Sequence, residues 1–160
     1  MNILYICTHN RCRSVLSEAI TRQKAGDKIK VMSAGSSPVG QVHPLSIKYL
    51  NQAGYNTEGL YSKSWNELTY DGKSFEPDVV VTVCDNAAGE ACPLWLGNTP
   101  KLHWGLIDPS KLAENGEANP QAEKAFIQVI ATIESRVDNL LKIADLPKDM
   151  QIKAFKQLIG

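Results

Sequence analysis

An α/β fold built on a parallel sheet is predicted by three observations. Strand-like and helix-like stretches alternate along the chain, which implies right-handed crossovers. Val79-Val80-Val81-Thr82-Val83 is an unbroken run, suited to a central strand covered on both faces. Three polar, chemistry-bearing stretches each follow a strand directly, and open α/β sheets bind ligands outside the carboxyl ends of their strands.

Taken in order, Ile3-Leu4-Tyr5-Ile6 reads as a buried strand, and Cys7 follows at once. Thr8 to Cys12 form a tight polar loop, and Arg13-Ser14 open a helix that carries Val15, Leu16, Ala19 and Ile20 at helical spacing. Gly26 ends that helix. Ile29 to Ser33 is a second strand, and Ala34 to Pro38 a loop. Pro44 suits the first position of a second helix, with Leu45, Tyr49, Leu50 and Ala53 on it and Gly54 as its stop. Ser64 caps a short helix through Leu68, and Tyr70 to Pro77 reads as a surface loop. After the valine run, Leu102 to Trp104 is a weak fourth strand. Pro120 opens a long helix whose Phe126, Val129, Ile130, Ile133, Val137, Leu140, Leu141 and Ala144 form one apolar stripe. Pro147 ends it, and residues 148–159 read as a short added helix. The expected organisation is one domain over 1–145 with a helical extension over 146–160.

Composition narrows the function. Lys+Arg and Asp+Glu both number 17, so the net charge is zero and no broad nucleic-acid footprint is indicated. No apolar run reaches the length of a membrane span, and the N-terminus lacks signal-peptide character. The expectation is a cytoplasmic monomer without a nucleic-acid or membrane partner. In a reducing compartment Cys7, Cys12, Cys84 and Cys92 are expected as thiols, ligands or redox partners. Zinc fits poorly, because no Cys-x2-Cys pair is present.

The first loop carries the chemistry. A loop that runs into a helix N-terminus offers unpaired N–H groups and the positive end of the helix dipole, a ready anion site. Arg13 adds a planar fork for two oxygens of an oxyanion. The same field is expected to lower the pKa of Cys7. Ser14 is placed to donate a further hydrogen bond to its sulfur.

A second constellation follows the valine strand. Cys84 and Cys92 stand eight positions apart, ahead of Pro93. On a regular helix their sulfurs would lie roughly 12 Å apart, whereas a disulfide needs Cα atoms within about 7 Å. Pairing therefore requires a looped or unwound segment. With Cys7 at the same sheet edge, three thiols permit a relay of thiolate attacks. Asp108, in Ile107-Asp108-Pro109-Ser110, is a candidate general acid as well as an ordinary turn former.

Four stretches together carry a family resemblance: CTHNRCRS (Cys7 to Ser14), SAG (Ser33 to Gly35), VTVC…CP (Val81 to Pro93) and HWGLIDPS (His103 to Ser110). In that order they resemble the arsenate reductases built on the low-molecular-weight protein tyrosine phosphatase fold. The resemblance implies a single-domain α/β fold with a four-stranded parallel sheet flanked by helices on both faces. It implies an oxyanion-binding loop of Thr8, His9, Asn10, Arg11, Cys12 and Arg13. Within it Cys7 is the nucleophile, Arg13 the clamp, Ser14 the thiolate stabiliser and Asp108 the general acid, with Cys84 and Cys92 as the resolving pair. Asn10 would brace the loop. Some members hold a monovalent cation through residues resembling Asn10, Glu18 and Ser33. The implied activity is arsenate reduction for detoxification, with weak phosphatase activity on the side. The implied partners are an arsenate- or phosphate-like oxyanion and an external thiol reductant, thioredoxin or glutaredoxin with glutathione. Cys84 and Cys92 have one more residue between them than the well-known thioredoxin-coupled members, which leaves the reductant open. A phosphatase of phosphotyrosine or small phosphoesters is the alternative. Ser110 argues against it, since phosphatases of this fold usually carry an aromatic residue there.

Overall fold

The computed structural model describes residues 1–70, 73–84, 99–113 and 117–159. Its central sheet is four-stranded and parallel, in the order β2-β1-β5-β6. These strands are β1 (Asn2–Ile6), β2 (Lys30–Ala34), β5 (Val79–Thr82) and β6 (Lys101–His103). Ile3, Leu4, Tyr5 and Ile6 are all buried, as are Val79, Val80 and Val81. Side chains of a strand alternate between faces, so burial of every one means both faces of the sheet are covered. That accounts for the unbroken apolar spelling of β1 and β5.

The helices fall where the periodicity places them: α1 (Arg13–Ala25), α2 (Pro44–Gln52), α3 (Pro120–Ala144) and α4 (Lys148–Ile159). Gly26 closes α1 at φ 54°, a left-handed conformation that costs glycine little. Asn119 caps α3 by accepting from the amide of Ala122, with Pro120 next in line. Phe126, Val129, Ile130, Ile133, Val137 and Leu140 of α3 enter the core. Phe155 of α4 is fully buried in that same core. Ser64 caps a short 3-10 turn over Trp65–Glu67, as its sequence predicts.

One stretch departs from expectation. The predicted surface loop over Tyr70 to Pro77 contains part of a small antiparallel pair, β3 (Thr69–Tyr70) with β4 (Lys73–Ser74), and Phe75 is buried behind it. Two-residue strands are too short to show alternation, so periodicity does not reveal them. Among the described residues no helix is long and apolar enough to cross a membrane.

Candidate active site

The site is built at the carboxyl end of β1. Ile6 pairs with Ala34 on one side and Thr82 on the other. The ladder runs one step further, through Cys7 N–H to the Ala34 carbonyl (3.2 Å) and Val83 N–H to the Ile6 carbonyl (3.0 Å). Cys7 and Cys84 therefore leave adjacent strands side by side.

The loop that follows has its carbonyls tied outward. Thr8 C=O accepts from Ser37 N–H (2.9 Å), and His9 C=O from Val39 N–H (3.3 Å) and the Ser62 hydroxyl (3.1 Å). Arg11 C=O accepts from His43 N–H (2.9 Å) and the Ser46 hydroxyl (3.3 Å), and Cys12 C=O from Leu16 N–H (2.8 Å). With the carbonyls engaged on the outside, the amides are left for the concave side, and that of His9 donates to the Cys7 sulfur. Asn10 makes the bend at φ 47°, which asparagine tolerates better than most residues. Cys12 precedes α1 without a side-chain cap, and no acidic residue occupies the first turn, so the helix end keeps its positive character. Gly35 lets β2 come close: a Cβ there would stand 2.5 Å from the Thr8 carbonyl oxygen and 2.8 Å from that of Cys7.

Cys84 reaches into this loop. Its sulfur accepts from Thr8 N–H (3.4 Å), lies 3.7 Å from the Thr8 hydroxyl, and shares a hydrogen bond with the Cys7 thiol. This reverses the expected direction for Cys7. The Cys84 hydrogen bond, with burial and the charge of a second sulfur behind it, pushes the Cys7 pKa up, against the lowering pull of Arg13 and the His9 amide. Two neighbouring sulfurs are costly to ionise together. Burial also raises the Cys12 thiol, to about 12, although the Ser46 hydroxyl offsets part of the effect. Cys12 is thus a packed thiol.

A cleft of about 370 Å³ opens above the loop, lined by Cys7, His9, Arg11, Arg13, His43 and Asp108 among others. Arg13 donates to the Leu106 carbonyl (3.0 Å) and stands 3.6 Å from the Asp108 carboxylate. The Nε atoms of Arg11 and Arg13 are buried without a hydrogen-bond partner. Two orphaned cationic donors beside a bowl of amides are what an oxyanion would satisfy. Asp108 accepts from the amide (3.0 Å) and hydroxyl (2.6 Å) of Ser110, so it forms the turn while its other oxygen faces Arg13.

Beneath the loop lies a buried polar chain. Asn10 donates to the hydroxyls of Ser14 (2.9 Å) and Ser33 (3.0 Å) and accepts from Lys63 N–H (2.8 Å). Because Ser14 accepts here, its own proton is left for another acceptor. Glu18 Oε1 accepts from the amide (2.8 Å) and hydroxyl (3.0 Å) of Ser33, and the Lys63 ammonium stands 3.5 Å away. Where a bound cation was implied, a cation belonging to the chain is present. Among the described residues no group of three or more His, Cys, Asp and Glu is arranged to hold a metal.

The family profile described as low molecular weight phosphotyrosine protein phosphatase matches residues 2–152. The chain belongs to that family. An arsenate reductase of Bacillus licheniformis is 30% identical over 126 residues, spanning 79% of this chain and 84% of that one. Arsenate reductase 1 of Staphylococcus epidermidis is 36% identical over 108 residues, 68% of this chain and 77% of that one. A solved arsenate reductase in the phosphate-binding state superposes with a TM-score of 0.68 at 26% identity, covering 88% of this chain and 96% of that one. A thioredoxin-dependent arsenate reductase of Corynebacterium glutamicum superposes with a TM-score of 0.61 at 29% identity, covering 89% of this chain and 61% of that one.

Of the predicted residues, Cys7, Arg13 and Asp108 line one cleft, Ser14 lies below it, and Cys84 touches the loop after Cys7. Cys92 lies outside the described residues. Sequence reasoning left two buried residues beside the loop unassigned. His43 lines the cleft, is buried and caps α2 by accepting from Leu45 N–H (3.1 Å). A histidine just before Pro44 was the available signal. Lys63 carried no signal, since an isolated lysine between two serines is ordinarily a solvated surface residue.

Proposed function

We propose that this chain reduces arsenate to arsenite through a cysteine relay. The observation that supports it best is the Cys84 thiol against Cys7, inside the oxyanion loop. Hydrolysis of a phosphoester has no use for a second thiol there. Reduction of a tetrahedral oxyanion needs one. Phosphate is not reduced by thiols, whereas arsenic(V) accepts two electrons.

Arsenate binds in the bowl of loop amides, with Arg11 and Arg13 supplying the unmatched donors. Its arrival brings negative charge beside Arg13 and competes with the Arg13–Asp108 contact at 3.6 Å. Asp108 lines the same cleft, within reach of a bound oxyanion, as a general acid must be. Cys7 thiolate, with Ser14 and His9 N–H donating to it, forms a sulfur–arsenic bond, and an arsenate oxygen protonated from Asp108 leaves as water. Cys84 thiolate then attacks the Cys7 sulfur. The sulfur–arsenic bond breaks, its electron pair stays on arsenic, and arsenite departs. Cys92 attacks Cys84, returns Cys7 as a thiolate, and leaves a Cys84–Cys92 disulfide for an external dithiol. The thioredoxin-dependent relative favours thioredoxin as that reductant, with glutaredoxin plus glutathione as the other donor to assay. Such a cycle suits a reducing compartment such as the cytoplasm.

The test is arsenate-dependent oxidation of NADPH coupled through thioredoxin or through glutaredoxin. Cys7→Ser and Cys84→Ser should each abolish turnover. Hydrolysis of para-nitrophenyl phosphate, if present, should vanish in Cys7→Ser and persist in Cys84→Ser. Full arsenate turnover in Cys84→Ser would remove the relay.

A further inference from the structure

The Lys63 side chain is 2% exposed and that of its partner Glu18 7%. A buried lysine is uncommon, and this one is held from every side. Its ammonium meets Glu18 Oε1 at 3.5 Å and the Tyr61 carbonyl at 3.4 Å, and lies 4.4 Å from the centre of the Tyr61 ring. Its main chain is fixed as well: the amide donates to Asn10 Oδ1 (2.8 Å), and the carbonyl accepts from Gly35 N–H (2.9 Å). Lys63 thus touches the oxyanion loop twice, directly through its amide on Asn10 and indirectly through Glu18, Ser33 and Asn10.

An added monovalent ion does not fit this arrangement. Glu18 Oε1 already accepts from Ser33 twice and faces the ammonium. A second cation against the same oxygen would sit within a few ångströms of Lys63, where like charges repel strongly in a buried site. We propose that Lys63 is the resident counter-ion of the oxyanion loop, a positioning residue whose tethered ammonium replaces any soluble cation. The loop is therefore ordered in the absence of potassium. Removal of the ammonium would leave Glu18 Oε1 and the Tyr61 carbonyl facing a hole of ammonium size. Those are hard oxygen ligands, and potassium has nearly the dimensions of an ammonium group. The Lys63→Met chain should consequently acquire the potassium dependence that the natural chain lacks.

The inference rests on the loop as an oxyanion site and not on arsenate reduction, so the probe is inorganic phosphate. Phosphate affinity is measured by titration calorimetry in about 0.1 M potassium chloride and in choline chloride of equal ionic strength, which holds screening constant. The natural chain should bind equally in both salts. Lys63→Met should bind about tenfold more weakly in choline and recover in potassium, a coupling of ordinary size. Lys63→Met with Glu18→Gln, which removes both charges, should respond to neither salt. Potassium-dependent affinity in the natural chain overturns the proposal, as does a folded Lys63→Met chain indifferent to potassium. If Lys63→Met folds in neither salt, the natural chain's titration decides.

Discussion

Gly35→Ala tests how the oxyanion loop is held. The new Cβ would stand 2.5 Å from the Thr8 carbonyl oxygen, 2.8 Å from that of Cys7 and 3.1 Å from Asn10 Cβ. Ordinary contact begins at 3.4 Å, so the Thr8 carbonyl must retreat by about 0.9 Å and that of Cys7 by about 0.6 Å. Gly35 itself has little room to yield. Its amide donates to Lys63 C=O (2.9 Å) and its carbonyl accepts from Trp65 N–H (3.1 Å). The Thr8 carbonyl is also pinned, by Ser37 N–H. Overpacking of this kind costs about 1–3 kcal/mol, and each kcal/mol lowers the melting temperature of a chain this size by roughly 2–4 °C. The greater effect is on the site. Displacement of reacting groups by about 1 Å costs on the order of a hundredfold in rate. Calorimetric melting, phosphate titration and arsenate turnover of Gly35→Ala measure both effects. A variant that keeps phosphate affinity and kcat/KM within about twofold of the natural chain would show that the close approach of β2 does not set the loop.

Two further outcomes follow from the electrostatics. Cys84 is the largest cause of the raised Cys7 pKa, so Cys84→Ala should lower it. The pH profile for alkylation of Cys7 by iodoacetamide should move to lower pH, and an unmoved profile would contradict the hold of Cys84 on Cys7. The pKa of His43 is depressed from its ordinary 6.5 by burial and by Arg11, and Nδ1 must be unprotonated to accept from Leu45 N–H. Its capping contribution is therefore whole above pH 6.5 and is lost as pH falls through the depressed value. His43→Asn keeps a cap and removes the titration, so its melting temperature should fall less on acidification than that of the natural chain.

The strand, loop and helix around Cys7 were legible because their signals are local. An apolar run gives way to polar residues, and helical periodicity resumes immediately. The order of β1, α1, β2, α2, β5, β6 and α3 follows from the same kind of pattern. Three features were not legible, each for a physical reason. The β3–β4 pair is shorter than any period. The upward shift of Cys7 arises from Cys84, distant in sequence and brought near only because β5 pairs with β1. The burial of Lys63 depends on Asn10, Glu18 and Tyr61 converging from separate segments.

The most direct measurement is a single-turnover disulfide map. The fully reduced chain is mixed with arsenate in the absence of external reductant, quenched in acid, alkylated and sequenced by mass spectrometry. Arsenate should consume two thiols per chain and leave Cys84 linked to Cys92, with Cys7 recovered as an alkylated thiol and arsenite formed in equal amount. Thiols that survive arsenate intact, or a bond confined to Cys7 and Cys12, would contradict electron transfer through Cys84.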